Sequence, residues 1–534
     1  MILLRKYACL LPLAGMMLAA GHAQAADKNT LVFCLESVPE TFNPQQATSG
    51  PSLIASSQVM FNRLISLDLN NNRILPSLAT AWEISPDGKT YTFTLRKGVK
   101  FNSNKYFTPT RDFNADDVVF SILRQKDAGN PYHAISGTDY AYFNDTGLNT
   151  LITAVKKLDD SRVQFTLSEP NAAFLADMAM DFTSILSAEY AGEMLKKGTP
   201  QYVDSWPVGT GPYVLRQYKV DTQIRYLANP HYWDGPVPTR QLVFSITPDI
   251  ETRLSKLRAN ECQIIPAPSP AQLATIEADP NLTLHSYTLP NVGYLAFNTQ
   301  KKPFDNVLVR QALNYATDKK AIVSAVFNDK GTVAKSFIPA GMLGYDAGLP
   351  DYGYDVEKAK ALLKQAGVKE GTEVALWSMP VQRPYNPNSR RIAEMIQSDW
   401  AKVGIKAKIT TFEWGEYLAG IHRGEHDVAL YGWLTDNGDP DNFAQALLSC
   451  NSIKFGSNIA RWCDSGYDKL VRQGRLVTDR AARLALYKQA QEIFYQQAPW
   501  IPIANGKTFY ATRSNVSGFD RKLMGTDFSK AKIN

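Results

Sequence analysis

The segment 373–409, EVALWSMPVQRPYNPNSRRIAEMIQSDWAKVGIKAKI, contains the pattern that decides the fold class. Residues 373–377 are mostly apolar and residues 405–409 alternate apolar residues with lysine, and both segments are predicted to be strands. Between them, apolar residues recur at helical spacing, namely Ile392, Met395, Ile396, Trp400 and Val403. A strand, an amphipathic helix and a second strand in succession predict a βαβ unit, and therefore an α/β fold.

The rest of the chain divides into two regions of different character. From about Pro290 onward, strands and amphipathic helices alternate, whereas the region 213–246 is rich in strands. Further upstream, residues 82–84 and 91–95 flank the turn Ser85-Pro86-Asp87-Gly88 and predict a β-hairpin. No low-complexity linker separates the regions, so we expect lobes joined by short crossing segments.

The N-terminus, residues 1–25, has the features of a cleavable signal peptide. Arg5 and Lys6 precede an apolar run that is too short to span a membrane, and 23–25 reads Ala-Gln-Ala. We therefore expect an exported protein.

Composition excludes several classes of function. The formal net charge of +6 falls by two when Arg5 and Lys6 are removed, and the remaining basic residues are scattered. No basic stripe or RNP-like aromatic run is present, so nucleic acid is not an expected partner. The chain is too long for one core, and two or three domains are expected.

Four cysteines remain after removal of the signal peptide: Cys34, Cys262, Cys450 and Cys463. An even number in an exported protein suggests two disulfides. Of the three possible pairings we favour Cys450–Cys463, which closes a short loop, leaving Cys34–Cys262. A metal site is the alternative, although no C-x-x-C motif supports it.

Motifs for catalysis or cofactor binding are incomplete. Gly88-Lys89-Thr90 and 506–508 lack the earlier glycine of a phosphate-binding loop, and the turn 436–441 departs from a calcium loop at Gly438. His422 and His426 are four residues apart without a third ligand, and we expect a surface pair. The sequence therefore indicates no enzyme, metal or cofactor.

Two turns that follow predicted strands carry opposite charges. Arg383 lies in the turn after 373–377, and Asp436 lies in the turn after another apolar strand. Ligands of open α/β sheets bind outside the carboxyl ends of the strands. An arginine fork matches a carboxylate and an aspartate accepts an ammonium group, so the pair suits a zwitterion such as a short peptide. Alternatively, Arg383 is a solvated turn residue and Asp436 stabilises an Asx turn.

Backbone groups near these charges can pair with a peptide as an added strand would. The segments concerned contain Thr48, Ser49, Gly50, Gly432, Trp433, Leu434 and Thr435. Trp433 and Tyr385 are large enough to form walls. The ends of an extended dipeptide lie roughly 7 Å apart, so a fixed spacing of the two charges would select peptide length.

Several segments carry the pattern of a known family: 81–96, 114–119, 209–212, 301–303 with 309–312, and 380–387. Because of these segments, the chain resembles the periplasmic dipeptide-binding proteins of bacterial peptide ABC importers, within the peptide/nickel family of solute-binding proteins. The resemblance extends from about Thr30 to the C-terminus.

The resemblance implies a two-lobed periplasmic binding protein fold of type II, with three domains, in the peptide/nickel-binding class. Domain I would comprise 26–61, 211–289 and 507–534, domain II 62–210, and domain III 290–506. Domains I and II would form one lobe, and the lobes would close around the ligand. A dipeptide and a membrane permease are the implied partners, and the protein is expected to be a monomer.

The resemblance also implies roles for individual residues. The arginine that matches Arg383 takes the ligand carboxylate, and the aspartate that matches Asp436 takes the amine. Other binding positions correspond to Thr48, Pro384, Tyr385, Trp433, Leu434 and Thr435. The family pairs its cysteines as Cys34–Cys262 and Cys450–Cys463.

Two departures from the family pattern bear on the ligand. Residues 101–105, Phe-Asn-Ser-Asn-Lys, replace a Trp-His-type segment, and Leu434 occupies a position in the binding turn where a smaller residue fits. Relatives take haem, metal chelates, 5-aminolevulinate or longer peptides, so these ligands remain alternatives. A chemosensory peptide receptor and an exported hydrolase are further alternatives.

Overall fold

The computed structural model describes residues 29–68, 73–455, 457–522 and 525–534. The predicted signal peptide, residues 1–25, lies outside them. A seven-stranded sheet contains, in spatial order, Leu282–Tyr287, Thr508–Arg513, Ile264–Pro266, Thr30–Leu35, Gln241–Ile246, Gln223–Ala228 and Tyr213–Lys219. A four-stranded sheet contains Ala79–Ile84, Thr90–Leu95, Arg162–Leu167 and Ile152–Asp159. A six-stranded sheet contains Thr332–Val333, Trp500–Asn505, Asn291–Phe297, Val428–Leu434, Thr372–Trp377 and Ile405–Thr410.

Three small ribbons and the helices complete the described chain. The ribbons pair Ile65–Asp68 with Arg73–Pro76, Val516–Ser517 with Lys532–Ile533, and Asp520–Lys522 with Gly525–Asp527. Helices before the six-stranded sheet are Gly50–Ala55, Ser57–Met60, Ala115–Lys126, Ala141–Asp145, Leu148–Leu151, Phe174–Asp177, Asp181–Thr183 (3₁₀), Ala188–Lys196, Tyr202–Ser205, Ile250–Arg258 and Pro270–Glu277. Those that follow are Val307–Tyr315, Lys319–Phe327, Val356–Gln365, Ser389–Ala401, Trp414–Arg423, Asp441–Leu448, Ser452–Phe455, Ser465–Leu476 and Arg480–Gln497.

The buried apolar side chains form two large cores, one in each lobe. One core joins the seven-stranded and four-stranded sheets, and the other surrounds the six-stranded sheet. We call these units the first lobe and the second lobe. The α/β, two-lobed fold expected from the sequence is confirmed.

The βαβ unit predicted from 373–409 is present in the second lobe. Thr372–Trp377 and Ile405–Thr410 are parallel neighbours, and the helix between them is Ser389–Ala401. The helix ends before Val403, which is nevertheless buried. Thr372–Trp377 is also parallel to Val428–Leu434, so both strands run toward the same edge of the sheet. Trp377 lies beside Ala429, and the second strand continues five residues further, to Leu434.

The chain crosses between the lobes twice, and hydrogen bonds join the two crossings. The first leads into Asn291–Phe297 and the second follows Trp500–Asn505. The Asn291 amide donates to the Gly506 carbonyl at 2.7 Å and accepts from the Gly506 N–H at 2.8 Å. The Asn505 amide donates to the Asn291 carbonyl at 2.6 Å. These bonds satisfy a buried backbone where both lobes meet.

The cysteines form the disulfides Cys34–Cys262 and Cys450–Cys463, and both pairs agree with the sequence expectation. The expected surface pair of histidines is wrong for His426, which is buried with its Nε2 3.0 Å from the Ile459 carbonyl oxygen. In the described ranges, no helix combines the length and apolar character needed to cross a bilayer.

Candidate ligand-binding site

Arg383 lies in the tight turn that follows the strand Thr372–Trp377. The Arg383 N–H donates to the Asn386 carbonyl at 3.0 Å, and the Asn386 N–H donates to the Arg383 carbonyl at 2.9 Å. The guanidinium donates to the Gln382 carbonyl at 2.9 Å and lies 5.6 Å from the Trp414 ring. Arg383 is exposed, and no described carboxylate lies within ion-pair distance. The guanidinium therefore has no carboxylate partner in the described part of the chain and can bind an anionic ligand.

Glycines hold this turn close to the sheet. A Cβ on Gly506 would lie 1.9 Å from the Pro384 carbonyl oxygen, and one on Gly293 would lie 2.1 Å from that of Tyr385. A Cβ on Gly432 would meet the Tyr385 ring at 2.3 Å. Any larger residue would push the turn away, so these glycines fix the position of Arg383.

Asp436 follows the neighbouring strand Val428–Leu434, and Asn442 organises its turn. The Asn442 Oδ1 accepts from the Asp436 N–H at 2.9 Å and from the Trp433 indole N–H at 3.1 Å. The Asn442 Nδ2 donates to the Asp436 Oδ2 at 2.9 Å. The Thr435 N–H donates to the Pro290 carbonyl at 2.9 Å. Asp436 is thus held in place at the crossing between the lobes.

Asp436 lines a cavity of about 210 Å³ to which both lobes contribute. Thr48, Gly50, Leu434 and Thr435 also line it, whereas Ser49, which precedes the helix Gly50–Ala55, is not among the lining residues. These are positions that the sequence singled out in two distant segments. Tertiary structure therefore brings the segment near Thr48 to the turn of Asp436.

The Asp436 carboxyl has no cationic partner among the residues that the structure describes. Burial raises its pKa to about 6, against the lowering effect of hydrogen bonds from Asn442 and Trp433. The same carboxylate is the main cause of a raised pKa at Tyr142, which lines the cavity from the first lobe. A ligand ammonium group in this cavity would supply the missing counter-charge.

Arg383 and Pro384 line a second cavity of about 130 Å³, which lies beside the second crossing and includes Lys507. The two charges therefore line separate cavities. Burial raises the pKa of Tyr385. Smaller effects come from the two charges, since Arg383 lowers this pKa and Asp436 raises it. Tyr385 therefore lies within electrostatic range of both Arg383 and Asp436.

Sequence reasoning missed the residues that position these charges. Asn442, Asn291 and the glycines 293 and 506 hold the two turns, and Tyr142 lines the Asp436 cavity from the first lobe. Asn442 lies six residues beyond Asp436, directly after the turn 436–441, and a search for Asx partners would have found it. Tyr142 has no such local signal.

The chain matches the family model of bacterial extracellular solute-binding proteins, family 5 (middle), over residues 73–455. The chain belongs to this family. A family 5 protein binds a solute for transport and is not an enzyme. The family description gives the location of its members as extracellular.

Relatives cover almost the whole length of this family 5 protein. It is 52% identical to a dipeptide-binding protein of Escherichia coli, over 96% of each chain. It is 47% identical to heme-binding protein A of Haemophilus influenzae, over 95% of this chain and 93% of that protein. A crystal structure of a dipeptide-binding protein from Pseudoalteromonas sp. SM9913 in complex with Met-Leu has a TM-score of 0.84 and 40% identity, covering 95% of this chain and 100% of the other.

Proposed function

We propose that this chain is the periplasmic solute-binding component of an ABC importer for dipeptides. It binds the peptide by its two charged ends between the lobes and delivers it to a permease in the inner membrane. Residues 1–25 direct export and are removed, and the mature protein acts as a monomer. The relatives named as dipeptide-binding proteins support this function.

The observation that carries the proposal is a pair of opposite charges without partners. Arg383 and Asp436 follow parallel neighbouring strands, and neither forms an ion pair with a described residue. A ligand that covers both charges would remove them from water, and an ion left unmatched there costs several kcal/mol, so each charge needs a partner on the ligand. A dipeptide zwitterion supplies both partners at once.

We assign the peptide carboxylate to Arg383 and the peptide ammonium to Asp436. Thr48, Ser49, Gly50, Gly432 and the run Trp433, Leu434 and Thr435 offer backbone and hydroxyl groups to the peptide unit. Pro384 and Tyr385 form a wall beside the carboxylate. Waters in the cavities would fill space left by small side chains.

The same proposal includes the division of the chain into three domains. Domain I comprises 26–61, 211–289 and 507–534, domain II 62–210, and domain III 290–506. The grouping of strands into three main sheets supports these boundaries. The crossings near Asn291 and Gly506 would act as the hinge about which the lobes close.

Calorimetric titration of the unfolded and refolded mature protein tests this function. We expect tight binding of Ala-Ala, weaker binding of Ala-Ala-Ala, and loss of affinity for free alanine and for N-acetyl-Ala-Ala. Refolding removes any ligand carried through purification. Absence of heat with all four compounds would contradict the proposal.

Haem is the second candidate, because a relative that is 47% identical is named a heme-binding protein. Titration with haemin, followed by its Soret absorption, distinguishes the two. Binding of haemin that Ala-Ala does not displace would favour a separate haem function.

The pH dependence of binding is expected to report Asp436. In the empty cavity its pKa is raised to about 6, and a bound ammonium group lowers it. The contribution of Asp436 to affinity is therefore complete above about pH 6 and is lost as pH falls through this value. The ratio of wild-type to Asp436→Asn affinity, measured by titration between pH 5 and 8, should decrease below pH 6. A constant ratio would contradict the assignment.

Gly506→Ala is expected to weaken Ala-Ala binding by about tenfold or more, because the new Cβ displaces the turn of Arg383. Gly192→Ala is the matched control, since nothing lies within 4 Å of its new Cβ in the helix Ala188–Lys196. Titration and thermal unfolding of both variants separate lost binding from lost stability. Wild-type affinity in Gly506→Ala would show that the turn tolerates displacement.

A further inference from the structure

Asp177 and Asn437 form a buried contact between the lobes. Asp177 ends the helix Phe174–Asp177 in the first lobe, and Asn437 directly follows Asp436 in the second. The Asn437 Nδ2 donates to the Asp177 Oδ1 at 2.6 Å, and the two residues are 4% and 3% exposed. Neither lines the Asp436 cavity.

Hydrogen bonds make the turn that contains Asn437 rigid. The Asn437 Oδ1 accepts from the Asp439 N–H at 2.9 Å, and the Thr435 Oγ1 accepts from the Gly438 N–H at 2.8 Å. The Asp439 carboxylate receives two hydrogen bonds of 2.6 Å from Arg483. A constraint on Asn437 therefore also constrains Asp436, its neighbour.

The charged groups with the largest effects on Asp177 lie in the second lobe. Asp439 and Asp441 raise its pKa and Arg475 lowers it, although Arg475 also pairs with Asp441 at 3.2 Å. Burial is the largest effect, and the pKa of Asp177 is raised to about 8. The hydrogen-bond partner of Asp177 is a neutral amide, and Arg475, which pairs with Asp441, offsets only part of the desolvation.

We propose that Asp177 is a positioning residue that retains the ligand, because its contact with Asn437 forms on lobe closure and holds the turn of Asp436 in place. Parting of the lobes breaks this contact and returns the carboxyl to water. Closure near neutral pH is then coupled to the uptake of a proton by Asp177. The inference rests on the proposed function, since the retained ligand is the dipeptide.

Asn437→Ala tests the contact through the kinetics of release. It leaves the Asp177 carboxyl buried without a donor, and the dissociation rate of Ala-Ala should rise about tenfold or more. Glu169→Gln is the matched control, because Glu169 pairs with Arg472 across the same lobes at 3.3 Å but both side chains are exposed. Its dissociation rate should change less than twofold. Equal rates in Asn437→Ala and wild type would overturn the proposal.

Asp177→Asn tests the proton, because it keeps an acceptor for Asn437 and removes the titrating group. Calorimetry of Ala-Ala binding at pH 7 in phosphate and in Tris, which differ in ionisation heat, measures the protons taken up. Wild type should take up about one proton more than the variant, since Asp436 is already ionised at this pH. Equal uptake would overturn the coupling, because a purely structural role for Asp177 leaves proton uptake unchanged.

Failure of the proposed function can be distinguished from failure of this inference. If wild type binds no dipeptide, small-angle scattering of the ligand-free protein still tests the contact. Wild type should be more open at pH 9 than at pH 6, whereas Asp177→Asn should not change. Identical scattering of the two proteins at both pH values would overturn the inference.

Discussion

Replacement of Arg383 by alanine is expected to weaken the binding of Ala-Ala by about 30-fold or more, the usual effect of removing one partner of a desolvated charge pair. The peptide carboxylate would remain in the cleft without a donor. Arg383 makes no ion pair with a described residue, so its loss should leave the melting temperature nearly unchanged. Calorimetric titration and thermal unfolding measure the two effects.

Arg390→Ala is the matched control for this prediction. Arg390 lies in the helix that follows the same turn, is exposed, and pairs with Glu394 at 2.9 Å. Its removal should not change affinity. Arg383→Lys keeps the charge without the planar fork and should bind with intermediate affinity. With Ala-Ala-amide, which lacks the carboxylate, wild type and Arg383→Ala should bind equally, and a persistent difference would contradict a direct contact.

Asp436→Asn should have an effect of similar size, about 30-fold or more, at the opposite end of the peptide. The asparagine keeps an acceptor for Asn442 and preserves the turn, but it cannot neutralise the ligand ammonium. N-acetylation of Ala-Ala removes that ammonium charge. Wild type should therefore discriminate strongly between Ala-Ala and its acetylated form, and the variant should discriminate much less.

Asp479→Asn controls for the removal of an acidic residue. Asp479 caps the exposed start of the helix Arg480–Gln497, where asparagine caps equally well. Affinity and stability should both remain at the wild-type level. If Asp436→Asn still distinguishes the two ligands as wild type does, the ammonium binds elsewhere in the cleft.

Much of the fold follows from local patterns in the sequence. The apolar periodicity of 373–409 indicated the βαβ unit, and the turn at 85–88 indicated the hairpin of Ala79–Ile84 and Thr90–Leu95. These patterns predict structure because the hydrogen bonds and buried faces involved lie close together along the chain. The buried environment of His426 was missed, since its contact with Ile459 depends on residues 33 positions away.

The sequence alone determined the fold class and the two charged turns that follow strands. It also led us to expect a signal peptide for export. Only the tertiary structure decided what surrounds these turns: Gly506 and Gly293 lie against the turn of Arg383, Tyr142 lines the Asp436 cavity, and Asp177 contacts Asn437. The Asp177–Asn437 contact joins residues 260 positions apart in different lobes. No local pattern records such a contact, because its energy depends on desolvation that exists only once the lobes have packed together.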